Sequence, residues 1–325
     1  IAFMEPQAGG ACRAGNIYNL LQRVLYRMAE QGQTEYAQIP VISLNLMGEE
    51  KHTGFRITPG LLSGGIAAGC YGDLIMCLYQ QVKPYEQNPG ETDRIRSQVE
   101  KKLCESIRRH RNGRHTREKN YRYACEVFSK VPVKPGKKKR VGITGEIYMK
   151  YSKLGNDDIE SFLLRQGMEP YSGGFVNYCL YLVDTERYKA EKYQHNPVMA
   201  KACAFVLHRL CEAQKHLLTV IGETDRFQTD LPFPELKEKV QGILAEGCNT
   251  GDGWLIAAEV IQYVEKGCGS VLILHPFGCL VSHVCERGIL QRLHARFPDV
   301  SIQTIEYDYD QSKTLRESRI LLAIS

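Results

Sequence analysis

Twelve cysteines occur in this 325-residue chain, yet no two stand as Cys-x-x-Cys. That spacing opens zinc ribbons, thioredoxin-type sites and ferredoxin-type cluster runs, so its absence argues against all three. No G-x-G-x-x-G is present, and no Gly-Lys-Ser/Thr follows Gly251 and Gly253, so this segment has no recognisable nucleotide site. Tryptophan occurs once, at Trp254, which reads as a packing anchor. The most apolar stretch, Leu61 to Val82, is interrupted by Asp73 and diluted by glycines at 64, 65, 69 and 72. It reads as a buried helix rather than a membrane span. No signal-peptide pattern opens the sequence, which sets the expectation of a reducing, cytoplasmic location without structural disulfides.

With 43% hydrophobic and 24% charged residues, the composition is that of a globular protein long enough for two domains. The net charge of +5 is concentrated in two basic runs, 107–119 and 134–140. The second contains Pro and Gly and directly precedes a strand, so it reads as a solvated linker rather than a nucleic-acid surface. Cys70, Cys77, Cys203 and Cys211 lie in apolar helical runs, where a free thiol behaves as a small hydrophobe.

What remains is a repeated pattern. The run Ile1-Ala2-Phe3-Met4 leads to Gly9-Gly10-Ala11-Cys12, and Val271-Leu272-Ile273-Leu274 leads to Phe277-Gly278-Cys279. Each thiol is followed by an amphipathic helix with a Leu-Gln-Arg run and then by another β-rich stretch. The first helix, about 16–31, carries Ile17, Leu20, Leu21, Val24, Leu25 and Met28 on one face. A thiol at a strand-to-helix turn sits near free helical N–H groups, which favours thiolate, the metal-binding form.

The alternation predicts an α/β fold: two Rossmann-like parallel units with helical insertions and a cleft between them. The first unit with its insertion is assigned to 1–133, a basic linker to 134–140, and the second unit with its insertion to 141–325. Helices are expected over 61–82, 92–110, 117–129, 175–193, 197–221 and 236–245. Asp157-Asp158 is expected to cap a helix ending at Gly167. Val141 to Thr144 reads as a buried strand ending in Gly145-Glu146, and ligands in such sheets bind beyond the strands' carboxyl ends. Cys12, Glu146 and Cys279 all fall there. Two sulfurs do not complete a cubane. A third ligand could be Cys248, Cys285 or a residue upstream of Ile1. The upstream option is favoured, because Cys285 falls inside the helix after Cys279 and Cys248 precedes a different loop. The chain also begins inside an apparent strand without an initiator Met, so it reads as a fragment of something longer. His275 and His283 flank Cys279 and could donate a hydrogen bond or a proton.

Several spaced motifs occur in a fixed order. These are Gly9-Gly10-Ala11-Cys12-Arg13, Pro40 to Asn45, Tyr71-Gly72-Asp73, Val141 to Ile147, Gly251-Asp252-Gly253-Trp254 and Pro276-Phe277-Gly278-Cys279-Leu280. Together they resemble acyl-CoA dehydratase activase-related proteins, in the portion similar to 2-hydroxyacyl-CoA dehydratase subunits and double-cubane cluster proteins. The resemblance covers essentially the whole chain. It implies an oxygen-sensitive iron–sulfur cluster, [4Fe-4S] or double cubane, held in an interdomain cleft by Cys12, Cys279 and a cysteine upstream. Gly10, Arg13 and Gly278 would flank the cofactor, with Glu146 and His283 behind the ligands.

The resemblance further implies an electron-transfer or reductase module, reduced by an ATP-hydrolysing activase in a separate protein or in the upstream part of the same polypeptide. The partner expectations are that activase and a second copy in a homodimer, with no nucleic acid and no membrane. Two departures stand out: Gly251-Asp252-Gly253 replaces the usual Gly-Glu-Gly, and Val281-Ser282 replaces Pro-Asn ahead of His283. The competing expectation is a non-catalytic scaffold that positions the activase and holds no metal here.

Overall fold

A computed structural model describes residues 3–6, 16–44 and 58–325. In chain order, β1 (Phe3–Pro6) is followed by α1 (Ile17–Glu30) and β2 (Val41–Leu44), and the two strands pair in parallel, Phe3 opposite Val41. Three helices come next: α2 (Pro59–Val82), α3 (Glu91–Arg108) and α4 (Arg114–Ser129). Then β3 (Arg140–Gly145), α5 (Ile147–Tyr151), α6 (Ile159–Arg165) and β4 (Glu169–Tyr171) lead to the long pair α7 (Phe175–Lys192) and α8 (Pro197–Gly222). The chain closes with α9 (Phe233–Glu238), α10 (Gly253–Glu265), β5 (Cys268–Pro276), α11 (Arg287–Arg296), β6 (Ser301–Tyr307) and α12 (Lys313–Ile324). A π-helical turn, Ser282–Glu286, stands between β5 and α11.

The main sheet is all-parallel, in the order β4-β3-β5-β6. Strand β3 turns first to β4 on one side, and the chain then crosses to β5 on the other. The direction of winding therefore reverses between β3 and β5, which is where open α/β sheets form a crevice. Both strands are buried along their length, Val141 to Gly145 and Val271 to His275, as parallel strands covered on both faces must be. One face packs Val141, Ile143, Leu272, Leu274 and Ile305 against α6 and α12. The other packs Val271, Ile273 and Ile302 against the larger helical layer.

The helical layer draws on residues from both sides of segment 134–140. The α2 face of Ala67, Cys70, Tyr71, Leu74, Leu78 and Val82 joins the same apolar cluster as Val176 and Leu180 of α7 and Leu217 and Val220 of α8. Segment 134–140 leads into β3. Its backbone is pinned: the Lys134 N–H donates to the Tyr85 carbonyl at 2.7 Å, and the Lys138 N–H to the Tyr85 hydroxyl at 3.0 Å.

Among the described residues, one helix, Gly60–Tyr85 with its terminal turn, is long and apolar enough to cross a membrane. Asp73 within it accepts the Phe175 and Val176 N–H groups at 2.7 and 2.9 Å and so caps α7 from another element. That contact and its packed face make α2 the central helix of this core. In α1 the expected apolar stripe is largely uncovered: Leu25 is buried, while Leu20 and Val24 are exposed.

Smaller differences have local causes. The expected 236–245 helix is the short α9 followed by turns, because Pro232 and Pro234 fix its start and Gly242 adopts φ +79°. The cap of α6 comes from Asn156, whose Oδ1 accepts the Ile159 N–H at 3.3 Å. Asp158 has φ +52° and makes no side-chain cap.

Candidate functional site

The crevice is built from the ends of β3 and β5. Gly145 has φ +131°, and a Cβ there would lie 2.0 Å from the Leu274 carbonyl oxygen. Glycine is therefore obligatory, and the Glu146 N–H donates to that carbonyl at 2.8 Å. Glu146 caps α5, with Oε2 accepting the Met149 N–H at 3.1 Å. Burial raises its carboxyl above the usual range, and the Met149 and Tyr148 N–H groups offset part of that.

At the end of β5, Gly278 takes φ +69°, turning the chain so that partly buried Cys279 follows it. The Cys279 thiol is raised, not lowered as the sequence suggested. Burial is the largest cause; the Ser282 hydroxyl and N–H offset part of it, and the nearby Glu286 and Glu146 add smaller increases. A turn that encloses sulfur beside carboxylates stabilises the neutral thiol more than a few N–H groups stabilise thiolate. Cys285 is pushed up to about 11 by burial, then by Cys248, Glu286 and Cys279. These three thiols are thus electrostatic neighbours, although among the described residues no group of three or more His, Cys, Asp or Glu side chains is arranged to hold a metal ion.

Behind the thiols lies a set of buried carboxyls that sequence reasoning missed. Asp252, at the start of α10, is driven well above its ordinary range by burial and by Glu146, Glu286 and Glu259, against one N–H from Ile147. Glu286 is fully buried, raised to about 8 mainly by burial, and neither of its oxygens has a hydrogen-bond partner. Ser282 Oγ is close enough to Cys279 and Glu286 to influence both, yet makes no hydrogen bond of good geometry. Glu259 is paired: Lys150 Nζ sits at 2.7 and 2.9 Å from its two oxygens, and Thr144 Oγ1 donates at 2.5 Å. A small pocket between Gly145, Lys150, Tyr151, Asp252 and Glu259 opens beside this pair.

His283 and His275 occupy the other flank. His283 Nδ1 is 2.7 Å from the Cys279 carbonyl, and Nε2 is 3.6 Å from Glu306 Oε2. His275 is fully buried against the His283 ring at 5.4 Å in an edge-on contact. The second flank of the crevice is the loop before α10. Gly251 has φ +57°, and a Cβ there would lie 2.8 Å from Val281 Cγ2, so this glycine serves packing against the Cys279 segment rather than a phosphate. Trp254 is the anchor expected, 1% exposed between Tyr181 and Phe233. Cys12, Gly10 and Arg13 lie outside the described residues, and with them the meeting of Cys12 and Cys279 across a cleft.

The structure therefore brings Glu146, Gly278, Cys279 and His283 to one edge and adds Asp252, Glu259, Glu286, Lys150, Ser282 and Glu306. Chemically, this edge offers soft sulfur, buried carboxyls held above their ordinary range and one buried Lys–Glu pair. No family profile, no curated protein and no solved structure matches the chain.

Proposed function

We propose that this chain is an iron–sulfur electron-transfer or reductase module of a 2-hydroxyacyl-CoA dehydratase-like system, reduced by an ATP-hydrolysing activase in the cytoplasm. The observation that carries the reading is the position of Cys279. It stands at the carboxyl end of β5, at the reversal of winding, beside the Gly145-Glu146 turn of β3 and with Cys248 and Cys285 as neighbouring thiols. The donor chemistry fits a cluster whose ligand set is shared with other segments: one partly exposed thiol on a fixed turn, not a finished cage. Cys279 would hold the group together with Cys12 and an upstream cysteine, and a bound cluster would supply one-electron redox chemistry at low potential. The chain's own part is to fix the Cys279 turn through Gly278 and His283. Loading must release the thiol proton, so iron uptake should be favoured by higher pH.

A specific observation favours the scaffold reading as second. Burial, with smaller additions from Glu286 and Glu146, opposes thiolate at Cys279, which is the reverse of the usual setting of a reactive sulfur.

The test is anaerobic preparation of the full-length polypeptide with iron and sulfide counted. Cys279→Ala and Cys12→Ala should lose iron and activase-coupled reduction. Cys70→Ala and Cys203→Ala, in helical settings, should cost only ~1 kcal/mol of stability and no iron. Equal iron in all four variants would mean that the Gly-Cys turns are structural, and an iron-free parent protein would favour the scaffold instead.

A further inference from the structure

We propose that the N-terminal half of α8 is a self-docking surface, on which a second copy of this chain lies antiparallel across a two-fold axis at Ala202. The helix runs for 26 residues, and its two halves differ. Ala213, Leu217 and Val220, spaced by four and three residues, pack into the main apolar cluster. Towards the N-terminus the same stripe continues through Arg209 to Val206 and Ala202, because a helix of about 3.6 residues per turn brings these positions to one face. There the cover ends. Val198 is 77% exposed and Phe205 67%, Met199 and Val206 are exposed beside them, and no α8 residue before Ala213 is buried. Leu207 and Cys211, on the opposite side, still pack against the cluster that holds Leu180 of α7. The bare residues are therefore one face of an anchored helix, and not a loose end.

A contiguous apolar face of this kind marks an interaction surface. Its symmetry names the occupant. Two rows cross at Ala202: Val198, Ala202 and Val206 at four-residue steps, and Met199, Ala202 and Phe205 at three-residue steps. Read in either direction, the smallest residue stands at the centre with larger apolar ones three and four positions away. An antiparallel copy therefore sets Ala202 on Ala202, where the backbones come closest. It seats Val198 and Met199 of each copy against Phe205 and Val206 of the other. Rows at these two steps are the ridges that interlock when helices pack. An unrelated partner has no need of such symmetry, whereas a two-fold dimer requires a self-complementary patch. With exposed Tyr193 just before the helix, each copy offers about 500 Å2, so the pair reaches the roughly 1,000 Å2 that a stable interface needs. Lys201, about 100° round the helix from Ala202, remains at the wet rim.

The test is the mass of the reduced, metal-free chain in solution, by sedimentation equilibrium at micromolar concentration. The parent should run at twice the chain mass. Ala202→Arg puts a charge at the crossing point and Phe205→Ser removes the largest contact, so each should raise the dissociation constant at least tenfold. Leu322→Ser, at an exposed apolar site on α12 away from the stripe, should leave the dimer intact. If Ala202→Arg does not fold, Val198→Ser takes its place with the same expectation. The orientation has its own readout. With Cys203→Ala as background, adding Ala202→Cys should let diamide join two copies by a disulfide, several-fold faster than in the background protein. A monomeric parent overturns the proposal, since the face is then bare or covered by a different molecule. A dimer that survives the α8 substitutions, or one that Ala202→Cys does not cross-link, overturns it as well. Iron enters none of these measurements, so their outcome is separate from that of the iron–sulfur reading.

Discussion

Gly145 and Gly167 both take positive φ, +131° and +75°, but their surroundings differ completely. A methyl at Gly167 meets nothing within 4 Å, whereas one at Gly145 collides with the Leu274 backbone that pairs with Glu146. Gly167→Ala should therefore cost about 1–2 kcal/mol of backbone strain. Gly145→Ala should cost about 3 kcal/mol or more, since strand β5 must move. Urea unfolding of the two variants measures the difference, and equal losses would refute the close approach. At this scale the positions of Glu146 and Cys279 at the ends of β3 and β5 were legible, because each follows a strongly apolar strand and a glycine. Asp252, Glu286 and Lys150 were not legible. A charged side chain that will be buried looks, in one sequence, like any charged side chain on a surface.

Among elements, long periodic helices read correctly within a few residues, and β3, β5 and β6 did too, because apolar runs bounded by turns leave little choice. β4 was missed: three residues with a central proline give no period, and only pairing with β3 makes Glu169-Pro170-Tyr171 a strand. The π turn was missed for a similar reason, since one extra residue per turn leaves no mark in composition. The start of α6 shows how an element can depend on one amide. Asn156 is buried, its Nδ2 donates to the Met149 carbonyl at 2.8 Å, and its Oδ1 takes the Ile159 N–H. Asn156→Ala should lower stability by about 1–2 kcal/mol from the lost cap alone, read as a shifted urea midpoint. No shift would mean that water replaces both bonds at no cost.

For the whole molecule, buried acids set an uncommon pH response. Burial raises Asp73 to about 7, Glu286 to about 8 and Asp252 well above its ordinary range. A carboxyl whose folded pKa exceeds its unfolded one stabilises the fold fully below the unfolded value, and that contribution is lost as pH rises through the folded value. Paired carboxyls such as Glu86 and Asp93, lowered despite burial by hydrogen bonds from Lys83, act oppositely and fail in acid. Stability should therefore peak on the acid side of neutrality and fall from about pH 4, where the unfolded carboxyls ionise, to about pH 8, the folded value of Glu286. Asp73→Asn should flatten that fall, and a urea midpoint equal or higher at the alkaline end would refute the assignment. The strand order has a different consequence, in time. Gly142 pairs with Val271, 129 residues later by subtraction of the two positions, while β4 is made soon after β3. At ribosomal speeds of about 5–20 residues per second, the inner edge of β3 waits roughly 6–26 s for its partner. During that interval α2, α4, α7 and α8 can already gather around one another, whereas the crevice with its thiol cannot exist until nearly the last strand is made. The nascent chain therefore acquires a body well before it acquires a site.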